Sequence, residues 1–311
     1  MSDTHTVRTG PQPTPTPRGN AGTAWGLLHA MRPKQWVKNV LVGAAPLAAG
    51  RVLEGPVLRA TLLAFVTFSV AAAGVYLVND VRDLAADRAH PRKRFRPIAA
   101  GVVPAPLAAV VGAVLLVVAV GLAALLGNGA LTGVVATYVV MSLAYCFFLK
   151  HQAVIDLAVV ASGFLLRAMA GGVAAELPLS QWFLLVAAFG SLFMVAGKRY
   201  SEVLLVGEGA GATRRALEQY SASYLRFVWS LSAAVAVTAY SLWAFEIRGR
   251  STGVPWAAIS IAPFVLGMLR YAVDVDAGSA GDPEDIVLRD RVLQVLGVAW
   301  VGLIALSVLR A

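Results

Sequence analysis

Pro104-Ala-Pro-Leu-Ala-Ala-Val-Val-Gly-Ala-Val-Leu-Leu-Val-Val-Ala-Val-Gly-Leu-Ala-Ala-Leu-Leu-Gly127 carries no charged side chain, no hydroxyl and no amide. A helix of about 20 residues crosses the ~30 Å hydrocarbon core of a bilayer, so this stretch reads as a membrane span. The continuation, 129–149, is nearly as apolar and is set apart only by Gly127-Asn128-Gly129. One helix over 104–149 would overshoot any bilayer, and a Gly-Asn-Gly cluster is a turn signal, so the spacing predicts two helices joined there. Outward from this pair, apolar runs cover 37–52, 58–80, 152–173, 180–197, 221–245, 254–272 and 291–309. The reading is an all-α polytopic membrane bundle of about nine transmembrane helices.

Composition agrees. Of 311 residues, 58% are hydrophobic and 14% charged, and the mean hydropathy is +0.72. A soluble domain carries about 25% charged and 45–50% apolar residues. These values exclude a soluble enzyme and a nucleic-acid-binding domain. Cys146 is the only cysteine, which excludes an intramolecular disulfide and a cysteine-based metal cluster. Residues 1–21 are rich in Pro, Thr and Gly and read as a disordered tail; 22–311 reads as a single transmembrane helical domain. Over 22–38, Trp25, Leu27, Leu28, Met31 and Trp36 mix with Arg32, Lys34 and Lys38, the pattern of a short helix in the headgroup layer.

The net charge of +9 is unusual for so apolar a chain. With the N-terminus on the cytoplasmic side, 20 of the 26 Lys and Arg residues fall in or beside cytoplasmic segments, as the positive-inside rule requires. That orientation does not call for aspartate, yet the loops 81–103, 198–220 and 273–290 hold most of the acidic residues too. The densest group is Asn79-Asp80-Val-Arg-Asp83-Leu-Ala-Ala-Asp87. On a continuing helix Asp80, Asp83 and Asp87 share one face, with Asn79 beside Asp83. Three adjacent carboxylates repel one another unless a cation lies among them. Carboxylate and amide oxygens suit Mg²⁺, which completes its shell with water and substrate phosphate. The alternative is a solvated loop whose aspartates pair with Arg82, Arg88 and Arg92. The run Arg88-Ala-His-Pro-Arg92-Lys-Arg-Phe-Arg96-Pro-Ile-Ala-Ala-Gly101 follows; Arg92 and Arg96 are its candidate phosphate clamps, although attraction to anionic lipid would select the same charges.

The pattern Asn-Asp-x-x-Asp-x-x-x-Asp, the later Arg-Pro-Ile-x-x-Gly, and Tyr145-x-x-x-x-Lys150 after the fourth span together resemble the UbiA-type intramembrane prenyltransferases. The resemblance implies a diphosphate held by Asp80, Asp83 and Asp87 through Mg²⁺. It also implies a second aspartate motif after the sixth span, which is absent: the chain reads Gly197-Lys198-Arg199-Tyr-Ser-Glu202 there. One carboxylate and two cations in place of several carboxylates suit direct binding of phosphate, or an ordinary ion pair at a helix end. Arg32-Pro-Lys34-Gln-Trp-Val-Lys38-Asn39 is likewise unusual for the family. Both departures resemble one actinobacterial branch, the membrane phosphoribosyltransferases of arabinan and arabinogalactan precursor synthesis.

For that branch the resemblance implies phosphoribosyl pyrophosphate as donor, a polyprenyl (decaprenyl) phosphate as acceptor, release of pyrophosphate, and a site facing the cytoplasm of the bacterial plasma membrane. Asp80, Asp83, Tyr145 and Lys198 are then the expected catalytic residues. Lys34, Lys38, Asn39, Asn79, Asp87, Arg92, Arg96, Lys150, Asp156, Arg167, Arg199 and Glu202 are the expected substrate contacts. Asp156 and Arg167 are eleven residues apart and share a helix face. Arg167 lies deep in a span, where a charge faces a cavity or a structural partner. Tyr145 equally suits interfacial packing. Two other readings remain open: a prenyl transfer to an aromatic or haem acceptor, and a transporter with a charged cavity. Homo-oligomer formation stays open as well.

Overall fold

The computed structural model describes residues 20–207, 219–248, 253–277, 286–287 and 289–309. The expected tail therefore lies almost wholly outside the described residues, as do the centres of the 198–220 and 273–290 loops. All regular elements among the described residues are helical. They are α1 (Asn20–Ala30), a 3₁₀ segment (Pro33–Gly43), α2 (Ala44–Ala48), α3 (Gly55–Arg82), α4 (Leu84–Ala89), α5 (Ala105–Leu125), α6 (Gly129–Phe147), α7 (Ile155–Ala174), α8 (Gln181–Gly207), α9 (Ala222–Arg248), α10 (Trp256–Ile259), α11 (Ile261–Asp276) and α12 (Arg291–Leu309), with short 3₁₀ turns at Lys93–Phe95 and Leu149–His151. Among the described residues eight spans are long and apolar enough to cross a membrane, α10 and α11 counting as one.

The packing is that of a membrane bundle. On α5 the inward positions are Ala108, Gly112, Leu116, Ala119 and Ala123, whereas Val117 is 73% and Leu125 85% exposed. Lipid is as apolar as leucine, so large apolar side chains gain nothing by turning inward, and small ones let helices close up. A Cβ on Gly74 of α3 would lie 2.9 Å from Leu116 and 3.0 Å from the Gly112 carbonyl oxygen. The turn at Gly127-Asn128-Gly129 forms as expected. Gly127 has φ +70°, and Asn128 accepts the Leu131 N–H with its side chain while donating to the Val173 carbonyl.

Two expectations need correcting. The run 37–52 is not a long α-helix; its residues fold into the 3₁₀ segment and α2. The chain still runs the length of the bundle here. Arg32 before the segment pairs with Asp80 at the end of α3, and Gly50 after it packs on Val308 near the end of α12. A 3₁₀ helix rises about 2.0 Å per residue against 1.5 Å in an α-helix, so 16 residues here cover about 30 Å. The higher rise is how a run too short for an α-helical span reaches across. The second correction concerns the acidic motif. α3 stops at Arg82, Asp83 takes φ −92° and ψ 10°, and α4 restarts at Leu84. The helix does not continue with three carboxylates on one face: Asp80 and Asp87 share Arg96, while Asp83 turns to Lys150.

Candidate active site

The polar residues gather at one end of the bundle, where α3, α6 and α8 finish and α7 begins. Asp80 is 3% exposed and accepts from Arg32 Nη2 and, at 3.2 Å, from Arg96 Nη1. Arg96 Nη1 also donates to Asp87 Oδ2 at 2.7 Å. One guanidinium thus bridges the first and last aspartates of the motif, while Lys150 pairs with Asp83. The Arg-Pro-Ile-Ala-Ala-Gly stretch holds Arg96 in place. The Arg96 carbonyl accepts the Ala100 N–H at 2.8 Å, the Pro97 carbonyl accepts from Val102 and Val103, and Gly101 closes the turn at φ +77°. Ile98 and Val103 bury this loop in a cluster with Ala30 of α1 and Leu77 of α3.

A second group lies beside the first. Tyr145 donates to Asp156 Oδ1 at 2.6 Å, and Arg199 Nε donates to Asp156 Oδ2 at 3.0 Å. Arg199 Nη1 reaches Glu202 at 2.9 Å. Asp156 is 1% exposed and stands in the first turn of α7, where the helix N-terminus favours a negative charge. That N-terminus is shaped by Val154 at φ 68°, whose N–H donates to the Tyr220 hydroxyl at 2.7 Å. Burial raises the Tyr220 hydroxyl above its ordinary pKa, against the lowering effect of the Val154 hydrogen bond, which keeps it neutral.

The structure brings together Asp80, Asp87 and Arg96, then Asp83 with Lys150, then Tyr145, Asp156, Arg199 and Glu202. Asn79 and Lys198 are half-buried at the same end. Arg92 and Lys34 are exposed, and Lys38 is half-buried. The alternative pairing of the aspartates with Arg82, Arg88 and Arg92 is not what forms; Arg88, for one, donates to the Ala99 carbonyl. Arg167 and Asn39 are not brought to the carboxylates. Arg167 stands about 16 Å from Asp156 along α7, and its Nε donates to Asn39 Oδ1 at 2.7 Å. Sequence reasoning missed Arg32 as a partner of Asp80 and Tyr138 as a partner of Arg167. Only the unusual Arg-Pro step before a short apolar run hinted at the former.

Carboxylate oxygens are the donors Mg²⁺ prefers, and one or two suffice when substrate phosphate supplies the rest. Among the described residues no three acidic side chains close round one point, and Asp80, Asp83 and Asp87 each hold a cation. The residues therefore fit a metal that arrives with a diphosphate and binds one or two carboxylates, rather than one held permanently by all three. Arg32, Arg96 and Lys150 would then be freed to take phosphate oxygens.

Residues 39–285 match the UbiA prenyltransferase family. The chain is 58% identical over 291 residues to the decaprenyl-phosphate phosphoribosyltransferase of Mycobacterium tuberculosis H37Rv, covering 91% of this chain and 94% of that protein. It is 52% identical over 309 residues to the protein of the same name from Mycolicibacterium smegmatis, covering 96% of each. In fold it is similar to a UbiA homolog from Archaeoglobus fulgidus solved with DMAPP and Mg²⁺, with a TM-score of 0.68 at 16% identity over 91% of this chain and 97% of that one. The chain spans the membrane several times and belongs to the UbiA prenyltransferase family.

Proposed function

We propose that this protein transfers the 5-phosphoribosyl group of phosphoribosyl pyrophosphate to a polyprenyl phosphate, decaprenyl phosphate foremost, with release of pyrophosphate. The observation that carries this reading is likeness of 52–58% over nearly the whole chain to proteins named for that reaction. The chemistry of the site supports it. The reaction brings two phosphate-bearing substrates together, and Arg32, Arg96, Lys150 and Arg199 lie at one end of the bundle together with the carboxylates that now neutralise them.

One or two of Asp80, Asp83 and Asp87 would hold Mg²⁺, which supplies neutralisation of the leaving diphosphate. Entry of the donor replaces the carboxylate partners of Arg96 and Lys150 by phosphate oxygens, and these cations orient the diphosphate. The acceptor phosphate oxygen attacks ribose C1 from the opposite face. The C1–O bond to pyrophosphate breaks, the new C1–O bond forms with inversion, and pyrophosphate carries away the electron pair. A phosphate monoester is largely a dianion at neutral pH, its second pKa being about 6, so no side chain has to remove a proton. Orientation and stabilisation of departing charge are the main contributions. Asp156, held by Tyr145 and Arg199, is the acceptor placed for a ribose hydroxyl; Lys198 and Glu202 line the same end. The site faces the cytoplasm of a bacterial plasma membrane, where the soluble donor is made, and the product feeds arabinan precursor synthesis.

The test uses purified protein in detergent with Mg²⁺, labelled phosphoribosyl pyrophosphate and decaprenyl phosphate. The expected result is a labelled lipid whose formation is abolished by chelation of the metal. Absence of that lipid, with transfer from a prenyl diphosphate to an aromatic acceptor instead, overturns the reading.

A further inference from the structure

Arg167 has no part in the chemistry above, yet its guanidinium is fully engaged within the bundle. It is 8% exposed, and all three guanidinium nitrogens donate: Nε to Asn39 Oδ1 at 2.7 Å, Nη1 to the Gly163 carbonyl at 2.7 Å, and Nη2 to the Tyr138 hydroxyl at 2.8 Å. The Tyr138 ring lies 4.7 Å from the guanidinium carbon. Asn39 in turn donates to Ser69 Oγ at 3.0 Å. One side chain of the 3₁₀ segment is thereby tied to α7 and α3, and Tyr138 adds α6.

The 3₁₀ segment docks through a three-residue repeat. Residues three apart eclipse one another in a 3₁₀ helix, and Asn39, Val42 and the following Ala45 are all buried, whereas Val37, Val40 and Leu41 are exposed. Each buried position meets a fixed point on α7. Asn39 meets Arg167. Val42 sets its carbonyl oxygen 1.8 Å from where a Cβ on Gly171 would stand, and Ala45 Cβ lies 2.9 Å from the same position on Gly172. An α-helix would break the repeat and shorten 33–43 by about 5 Å, which would draw Arg32 away from Asp80.

We propose that Arg167 is a positioning residue: through Asn39 it keeps 33–43 in its elongated form, and that length is what lets Arg32 reach Asp80. The second half rests on the reading of the Asp80 end as the donor site, so the test has two arms. The first is amide hydrogen exchange on the full chain in detergent without substrate. Asn39→Leu, which loses both bonds, is expected to speed exchange over 33–43 about tenfold or more with α3 and α5 unchanged, and Arg167→Lys to do likewise; Asn39→Asp still accepts from Arg167 and stays within about twofold of the parent. Unchanged exchange over 33–43 in Asn39→Leu, or in Arg167→Lys should the first variant not fold, overturns the proposal.

The second arm is kinetic. Asn39→Leu raises the KM for phosphoribosyl pyrophosphate about tenfold and leaves that for decaprenyl phosphate within about twofold. Adding Arg32→Gln then causes little further loss, because both changes remove the same contact. Fully additive losses, or a rise confined to the lipid KM, overturn the positioning role. A parent protein that transfers no phosphoribosyl group overturns the donor-site reading instead, and the exchange arm still decides whether the latch exists.

Discussion

Two of the arginine-centred groups in this bundle are built in opposite ways. At the site end, Arg96 bridges Asp80 and Asp87, and Lys150 pairs with Asp83. Every partner there is a full charge of opposite sign, and Arg96 and Arg32 keep more than a quarter of their side-chain surface exposed. In the interior, Arg167 is held by an amide, a carbonyl and a phenol. The guanidinium groups of the first set reach water although Asp80 and Asp87 are buried, and a phosphate would restore a charge-assisted partner for each carboxylate displaced, so on the proposed reaction the first group trades carboxylates for phosphates. Hydrogen bonds to neutral groups away from water have no competitor, and losing one leaves a polar group unsatisfied. The first group is suited to release and the second to hold.

The largest effect follows from breaking the first group. Asp80→Asn keeps the shape but removes a charge, and should lower phosphoribosyl transfer at least about 100-fold, as when a principal electrostatic contact is lost. The variant should still elute as a folded protein; collapse of the fold would make the site end structural like the interior one. An intermediate effect comes from wedging the second group apart. Gly171→Ala places a Cβ against the Val42 carbonyl and should cost about 1–3 kcal/mol by overpacking, read as a lower midpoint in thermal unfolding in detergent. No change there would mean that the 3₁₀ segment shifts freely.

The smallest effect is a pH response at the edge of the site. His90 Nδ1 accepts the N–H groups of Arg92 and Lys93. Desolvation, then the charge of Lys93, lowers its pKa below the ordinary 6.5. The neutral ring is the one that caps, so its contribution is complete above the ordinary value and lost as pH falls through the lowered one. Protection of the Arg92 and Lys93 amides, taken as exchange relative to the intrinsic rate at each pH, should therefore fall by no more than about twofold as pH drops from 7 to 5, and His90→Gln should flatten that response.

The helices were legible because hydropathy is local. The expected spans 104–127, 129–149 and 291–309 became Ala105–Leu125, Gly129–Phe147 and Arg291–Leu309. The run 37–52 was legible as a crossing but not as a 3₁₀ segment, since backbone form there depends on Asn39 finding Arg167, 128 positions away. The acidic motif was legible as a group of aspartates at one end. Its break at Asp83 was not, because a helix-face argument leaves out the cations that compete for each carboxylate.

Asp156 and Arg199 illustrate the same limit. Each was a candidate from its own neighbourhood, but their pairing joins residues 43 apart on different helices. The sequence by itself determined that this is a membrane bundle with acidic and basic residues massed at one end, because the absence of charge over twenty residues and the sign of a loop are properties of the chain alone. Only the tertiary structure decided which charges neutralise each other and which are locked. Those outcomes depend on distances between helices that small residues such as Gly171 allow to close, and no stretch of sequence contains both sides of such a contact.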